Sequence, residues 1–174
     1  MKYDFVIVGS GPAGSIVSWN LAKKGFKIAL IDRANKIGKS DKNSFIYSPY
    51  IDSCPNYYSP LFSDQLGGNS ALWNNKVYLI SQDEFNKSNW HFTYEELLEN
   101  SRKLAKLFNI DHREISLVSS SKNLGYSQSK RIKKLGNLFE YLDIRNNSNI
   151  DILSNTSPIE LNFENNKVIT LKTL

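Results

Sequence analysis

The chain has very few of the residues that build disulfide frameworks, metal sites and imidazole chemistry. Cys54 is the only cysteine among 174 residues, so no internal disulfide can form, and no His/Cys/Asp cluster with metal-ligand spacing surrounds it. We expect a semi-buried thiol and no metal. His91 and His112 are expected to be structural or solvated, because nothing in the sequence gives either one access to a substrate proton or a tuned pKa.

Long hydrophobic runs are also missing. No apolar run approaches the length that crosses a membrane, and the first apolar segment begins within a few residues of Met1, which leaves no room for a cleavable signal. We therefore expect a cytoplasmic protein without a membrane span. Its 40% of hydrophobic residues is enough for a substantial core at this length.

The positive charge invites a nucleic-acid interpretation, since the formal net charge is +5 and residues 130–134 read Lys-Arg-Ile-Lys-Lys. However, Ile132, Leu135, Phe139 and Leu142 recur at helical spacing. This pattern predicts an amphipathic helix over residues 127–145 whose basic side chains form its solvated face. We expect no nucleic-acid partner.

The most informative stretch lies at the start of the chain. Residues 3–8 form a short apolar run with β-branched side chains, which predicts a strand buried on both faces of a parallel sheet. The turn Gly-Ser-Gly-Pro-Ala-Gly follows directly at residues 9–14. In a dinucleotide-binding turn, Gly9 permits the tight bend, Gly11 lets the backbone approach a pyrophosphate, and Gly14 lets the next helix pack closely.

The segment after this turn completes a βαβ unit. A helix is predicted from Pro12 to Lys24, ended by Gly25, and a second strand over residues 27–31. Asp32 then stands where a carboxylate accepts the hydroxyl hydrogens of an adenosine ribose. Asp32 favours a ribose without a 2′-phosphate, although Arg33 weakens that inference. The alternative is a glycine turn that only packs a helix against a sheet.

Two later stretches narrow the class of protein. Residues 65–75 read Gln-Leu-Gly-Gly-Asn-Ser-Ala-Leu-Trp-Asn-Asn, and residues 90–98 read Trp-His-Phe-Thr-Tyr-Glu-Glu-Leu-Leu, with Asp-Glu-Phe at 83–85 between them. In this order they resemble the flavin-contacting loop and the following helix start of the glucose-methanol-choline (GMC) oxidoreductases. Residues 149–156 and 158–171 resemble that family's third strand and the β ribbon after it. Other FAD-dependent enzymes with two dinucleotide folds are the nearest alternatives.

The resemblance implies FAD in an extended pose, with its pyrophosphate on the first glycine turn, its ribose on Asp32 and its isoalloxazine near residues 68–70. It also implies hydride transfer from an alcohol CH–OH group to the flavin, with a sugar or polyol as candidate substrates. The adjacent glycines suit a close backbone approach to a flat ring, although an ordinary turn would use them too. The predicted cofactor residues are Gly9, Ser10, Gly11, Pro12, Ala13, Gly14, Asp32, Arg33, Gly67, Gly68, Asn69 and Ser70.

Some positions depart from the family pattern. Asn74 and Asn75 replace glycines, Asp32 replaces a more frequent Glu, and Pro158 replaces a Val whose backbone N–H contacts adenine. The family's catalytic His-Asn or His-His pair lies in a C-terminal segment that we do not find in this sequence. We therefore assign no catalytic residue and expect a complementary C-terminal segment as a partner. The alternatives are a truncated or split FAD-binding fragment without turnover, and a nucleotide-binding regulatory module.

The predicted fold class is α/β: an incomplete Rossmann-like FAD-binding fold, a parallel sheet with helices, plus an insertion and a β hairpin. Residues 1–34 are the first βαβ part of the FAD-binding domain. Residues 35–148 are an insertion with the flavin-contacting loop and cap helices, in which 35–63 is an irregular stretch covering the cofactor and Thr93 and Glu96 form a capping box. Residues 149–174 continue the FAD-binding domain, truncated at the end, and include a hairpin around residues 164–167.

Overall fold

The computed structural model describes residues 2–37, 63–71, 73, 75–115, 117–121, 124–127, 130–132, 136–165 and 167–174. Two compact units divide the chain, residues 1–73 with 136–174 and residues 74–135. In chain order the elements are β1 (Phe5–Val8), α1 (Pro12–Lys23), β2 (Ile28–Ile31), β3 (Lys76–Val77), α2 (Gln82–Asn86), α3 (Tyr94–Leu107), β4 (Leu117–Ser121), β5 (Leu124–Ser127), β6 (Lys130–Arg131), α4 (Leu138–Tyr141), β7 (Ile150–Leu153), β8 (Pro158–Glu164) and β9 (Lys167–Thr173).

A three-stranded parallel sheet in the order β1-β2-β7 forms the centre of the first unit. Every residue of β2 is buried, as expected of a strand with a neighbour on each side. Helix α1 packs against β1 and β2, and α4 packs against α1. The core includes the fully buried Ile28, Leu30, Phe139 and Ile144. The predicted α/β fold class with a parallel sheet is confirmed.

The prediction that β1 is buried on both faces is wrong. Val6 is 44% and Val8 55% exposed. Within the described part of the chain β1 is also an edge strand, since it hydrogen-bonds to β2 and to no other strand. An apolar run shows that a strand suits a covered environment, but it does not show what covers that strand.

Helix α1 has the predicted limits for physical reasons that the sequence displays. Pro12 occupies its first turn, where no backbone donor is needed. At its other end, Gly25 has a φ of 88°, and its N–H donates to the Ala22 carbonyl. Nearby, the Lys23 ammonium lies 4.2 Å from the centre of the Trp19 ring.

The continuous helix predicted over residues 127–145 is wrong. In the described residues of that range, Lys130–Arg131 is strand β6, and α4 covers only Leu138–Tyr141. Gly136 has a φ of 55°, which interrupts a right-handed helix. The helix was the reason to discount nucleic acid, so the absence of a nucleic-acid partner stays a prediction.

The second unit contains β3 paired antiparallel with β6, β4 paired antiparallel with β5, and helices α2 and α3. The predicted capping box of α3 is present: Glu96 N–H donates to Thr93 Oγ1, and Thr93 N–H donates to Glu96 Oε2. A second box caps α2, where Ser81 and Glu84 exchange the same hydrogen bonds. Hydrogen bonding by Ser81 lowers the pKa of Glu84.

The predicted hairpin near the end of the chain is formed by β8 and β9, which pair antiparallel. Residues 38–62 lie outside the described part, and with them Cys54 and most of the irregular stretch predicted to cover the cofactor. Among the helices that the structure describes, none is long and apolar enough to cross a membrane. The cytoplasmic location and the domain limits at 34 and 148 stay predictions.

Candidate dinucleotide site

The first glycine turn joins the carboxyl end of β1 to the start of α1. Gly9 has a φ of 86°, and its N–H donates to the Ile31 carbonyl at 2.7 Å, which fixes the turn against β2. A Cβ on Gly14 would lie 1.8 Å from the Gly9 carbonyl oxygen, so Gly14 is required for close packing of helix and strand. Packing therefore explains Gly14.

Gly11 has no such internal explanation. Its φ is −58°, which any residue adopts, and a Cβ built on it would meet no atom of the described residues within 4 Å. Packing a helix on a sheet does not require glycine here. The open space at Gly11 is what close approach of a ligand to the backbone requires.

The positive N-terminal end of α1 is not neutralised by a capping side chain or by an acidic residue in its first turn. Gly11 is its N-cap and offers no side-chain cap hydrogen bond, and no acidic residue lies in the first turn. The exposed N–H groups and the positive end of the helix dipole are thus directed at the same open space. Together with the glycine turn, this arrangement suits a pyrophosphate.

Asp32 follows β2 and is held firmly. Its Oδ2 accepts hydrogen bonds from the Ser10 N–H at 2.6 Å and the Ser10 hydroxyl at 2.5 Å, and its Oδ1 accepts one from the Ala34 N–H at 2.8 Å. A carboxylate has about four acceptor sites, so one site on Oδ1 is not used by these bonds. Asp32 keeps an acceptor for a sugar hydroxyl.

A cavity of about 230 Å³ lies beside this carboxylate, at the carboxyl ends of β1 and β2. Ligands of open α/β sheets bind at that edge. Arg33 borders the cavity but its guanidinium is half-exposed and pairs with Asp64, at 3.4 Å from Nε to Oδ1. The residues around the cavity are Val8, Gly9, Ile31, Asp32, Arg33, Thr156, Ser157 and Pro158.

The second glycine loop lies directly against the first. A Cβ on Gly68 would come 3.1 Å from the Gly11 Cα, and the Gly67 N–H donates to Ser10 Oγ at 2.8 Å. Both glycines have positive φ, 93° at Gly67 and 53° at Gly68. The fold therefore brings together two motifs that are more than fifty residues apart in the sequence.

The polar residues of the second loop have different surroundings. Ser70 is buried, and its hydroxyl donates to the Gly67 carbonyl at 2.6 Å and accepts from the Leu138 N–H at 3.1 Å. Asn69 is exposed, and its Oδ1 accepts from the Ser63 N–H at 2.8 Å. In this arrangement the Ser70 hydroxyl supports the turn from inside.

Asn137 is a site-supporting residue that sequence reasoning missed. Its Nδ2 donates to the Leu66 carbonyl at 2.6 Å, and its Oδ1 accepts from the Phe139 N–H at 2.9 Å. A Cβ on Gly67 would lie 1.8 Å from that Oδ1. The Gly136-Asn137 pair is a sequence signal for a helix break followed by a helix N-cap. The helix predicted over residues 127–145 ran across this pair and so overlooked the signal.

Neither histidine borders the cavity beside Asp32. His91 is exposed. His112 Nε2 lies 2.6 Å from Ser101 Oγ, and the same hydroxyl oxygen lies 2.8 Å from the Leu98 carbonyl oxygen. Hydrogen bonding by Arg113 lowers the pKa of Asp111 to about 2. Among the described residues, no group of three metal-ligating side chains exists.

Comparison with known proteins agrees with this geometry. Residues 7–65 match the family described as NAD(P)-binding Rossmann-like domain. A stretch of 37 residues is 57% identical to geranylgeranyl diphosphate reductase of Rhodobacter capsulatus and 56% identical to digeranylgeranylglycerophospholipid reductase of Methanococcus vannielii. Each of these matches covers 21% of this chain and 10% of the relative.

Two solved structures share the fold over almost the whole chain. Pyridoxine 4-oxidase from Mesorbium loti superimposes with a TM-score of 0.61 at 16% identity, over 99% of this chain and 46% of that one. A fungal aryl-alcohol oxidase superimposes with a TM-score of 0.53 at 15% identity, over 94% of this chain and 40% of that one. The chain thus spans less than half the length of either oxidase and carries a Rossmann-like dinucleotide-binding domain. The expectation of a dinucleotide cofactor agrees with the family match over residues 7–65.

Proposed function

We propose that this chain is the FAD-binding part of a GMC-type oxidoreductase whose parent reaction oxidises an alcohol, a sugar or another polyol being candidate substrates. The observation that carries the proposal is the contact between the two glycine loops, Gly68 against Gly11 and Gly67 against Ser10. One loop suits a pyrophosphate and the other suits a flat ring, so their contact suits an extended molecule that carries both groups. FAD is such a molecule, and when bound it supplies the hydride acceptor.

The residues present fit the adenosine diphosphate half of FAD. Gly11 leaves open space, the α1 N-terminus supplies unneutralised donors, and Asp32 keeps one acceptor beside a cavity of about 230 Å³. In this proposal Gly9, Gly11, Ala13 and Gly14 hold the pyrophosphate through backbone groups, and Asp32 holds the ribose. Gly67 and Gly68 would bring backbone near the isoalloxazine.

The GMC assignment is supported by motif order, and the fold is consistent with it. Residues 65–75 and 90–98 carry the resemblance in sequence, and the fold is shared with pyridoxine 4-oxidase and an aryl-alcohol oxidase. The reductases match only 37 residues, so their substrates do not discriminate among classes of FAD enzyme. Two alternatives have other predicted behaviour: an FAD-binding fragment without turnover, and a nucleotide-binding regulatory module.

The experiment is a titration of the purified chain with FAD, FMN and ADP, followed by flavin absorbance and by calorimetry. The proposal expects FAD to bind more tightly than FMN, because only FAD engages Asp32 and the glycine turn together. Gly11→Val should weaken FAD and ADP binding, since its side chain would fill the open space. Unchanged affinity in Gly11→Val would contradict the site.

Addition of alcohols to the flavin-loaded chain then separates the alternatives. Bleaching of the flavin absorbance would identify an enzyme active on its own. FAD binding without bleaching would favour the FAD-binding fragment without turnover. ADP binding without preference for FAD would favour the regulatory module.

A further inference from the structure

A chain of hydrogen bonds runs from the second glycine loop to the ribose-facing carboxylate. The Gly67 N–H donates to Ser10 Oγ at 2.8 Å, and the Ser10 hydroxyl donates to Asp32 Oδ2 at 2.5 Å. The Ser10 N–H donates to the same oxygen at 2.6 Å. Ser10 is fully buried, at 0% exposure, so water does not compete for these groups. One side chain therefore connects both predicted cofactor loops.

The direction of the bonds makes their strengths interdependent. A hydroxyl that donates to a carboxylate becomes polarised, and its oxygen then accepts a hydrogen bond more strongly. In this chain the Asp32 carboxylate orients the Ser10 hydroxyl, so the bond between Ser10 Oγ and the Gly67 amide depends on where that carboxylate is held. Anything that fixes the Asp32 carboxylate in its present orientation also fixes the Gly67 turn.

We infer that Ser10 is a positioning residue that couples occupancy of the ribose site to the order of the turn at residues 67–71. The inference rests on the proposed function, because it takes a nucleotide ribose as the group that Asp32 receives. A ribose hydroxyl donates to the unused acceptor site on Asp32 Oδ1, opposite the oxygen that Ser10 engages. Binding of the nucleotide half of the cofactor thereby orders the backbone turn that contacts the flavin half.

The arrangement also limits how the ribose binds. Oδ2 already accepts two hydrogen bonds from Ser10, and Oδ1 accepts one from Ala34. Asp32 therefore accepts one ribose hydroxyl while the Ser10 link is intact, and accepts both only if that link opens. Ser10 in this way determines how many ribose hydroxyls Asp32 accepts and how ribose binding affects the second glycine loop.

The test measures amide hydrogen exchange of residues 67–71 by NMR, without ligand and with saturating ADP. Ser10→Ala removes the relay, while Ser18→Ala is a matched control because Ser18 is an equally buried serine of α1 whose hydroxyl has no hydrogen-bond partner among the described residues. Without ligand we expect Ser10→Ala to speed Gly67 exchange about tenfold or more, and Ser18→Ala to leave it unchanged. Asp32→Asn, which removes the charge, should give a smaller acceleration.

With ADP, the wild type and Ser18→Ala should gain protection at residues 67–71, and Ser10→Ala should bind ADP without that gain. In the wild type, 2′,3′-dideoxy-ADP should bind without protecting the turn, because it has no ribose hydroxyl for Asp32. A merely structural serine would not change this ligand dependence. Equal ADP-induced protection in Ser10→Ala, or unchanged Gly67 exchange without ligand, would overturn the coupling while the FAD site stands. No ADP binding by the wild type would overturn both.

Discussion

At the scale of single residues, Gly11 and Gly14 lie three positions apart and are required for different reasons. A Cβ on Gly14 would lie 1.8 Å from a backbone oxygen of Gly9, whereas a Cβ on Gly11 would meet nothing within 4 Å. We expect Gly14→Ala to destabilise the chain by about 1–3 kcal/mol, since helix α1 must move away from the strand. Gly11→Ala should leave the free energy of unfolding nearly unchanged.

Urea unfolding of both variants and the wild type, followed by circular dichroism, measures this difference. The comparison also separates fold from function, because Gly11→Ala should still weaken ADP binding while Gly14→Ala should first lose stability. Equal destabilisation by the two substitutions would show that Gly11 has a packing role that the open space around it does not reveal.

Ser18 is a buried polar residue whose hydroxyl makes no stabilising hydrogen bond within the described residues. It is fully buried in α1, and its hydroxyl has no hydrogen-bond partner in the described residues. A buried hydroxyl without a partner costs stability, and alanine is the better helix former, so Ser18→Ala should stabilise the chain by about 1 kcal/mol. Thermal unfolding would record this as a higher Tm. Ser15→Ala is the control, and it should lower the Tm because the Ser15 hydroxyl donates to the Ser10 carbonyl at 2.6 Å. A lower Tm in Ser18→Ala would contradict the prediction.

The residues that sequence reasoning identified and those that it missed differ in how far their partners lie along the chain. Gly9, Pro12, Gly25 and Asp32 follow from local rules for turns, caps and strand ends. Ser10 was identified as a cofactor residue, but its link to Gly67 spans 57 positions. The bond of Asn137 to Leu66 spans 71 positions, and no local pattern encodes such a distance.

At the scale of elements, the short helix α4 supports the second glycine loop through its cap. Asn137→Ala removes both the cap to Phe139 and the bond to the buried Leu66 carbonyl, and we expect a loss of about 2 kcal/mol or more. Asn137→Asp keeps an acceptor for Phe139 but has no donor for Leu66. It should therefore also be less stable than the wild type, which chemical denaturation would measure.

The exposed Asn146 provides the matched control for this pair. Asn146→Ala removes only a hydrogen bond to Asp143 on the surface and should change stability very little. If Asn137→Asp proved as stable as the wild type, the cap alone would account for the role of Asn137, and its bond to Leu66 would contribute nothing.

The wrong helix prediction over residues 127–145 also has its cause at this scale. Ile132 and Phe139 are both buried, as their helical spacing suggested, but they belong to different compact units. Apolar periodicity records that side chains are buried and does not record in which core. Gly136, with its positive φ, is the residue at which the chain re-enters the first unit, and a glycine inside an apparent helix was the signal to weigh more heavily.

At the scale of the whole molecule, the described residues leave the outer edge of β1 without a partner strand. On β1, Val6 and Val8 are about half-exposed, and this strand pairs only with β2 within the described residues. Unpaired strand edges with apolar side chains are templates for pairing with another chain. We therefore expect copies of this chain to associate through the edge of β1 at high concentration.

Val6→Lys tests this association without touching the candidate site, because Val6 does not border the cavity beside Asp32. We expect light scattering after size exclusion to show concentration-dependent oligomers of the wild type and fewer of the Val6→Lys variant, since an edge lysine disfavours strand pairing. Val17→Lys is the matched control, because Val17 is also 44% exposed but lies on helix α1 and not on a strand edge. Equal oligomerisation of both variants, or a monomeric wild type at high concentration, would show that the β1 edge does not drive self-association.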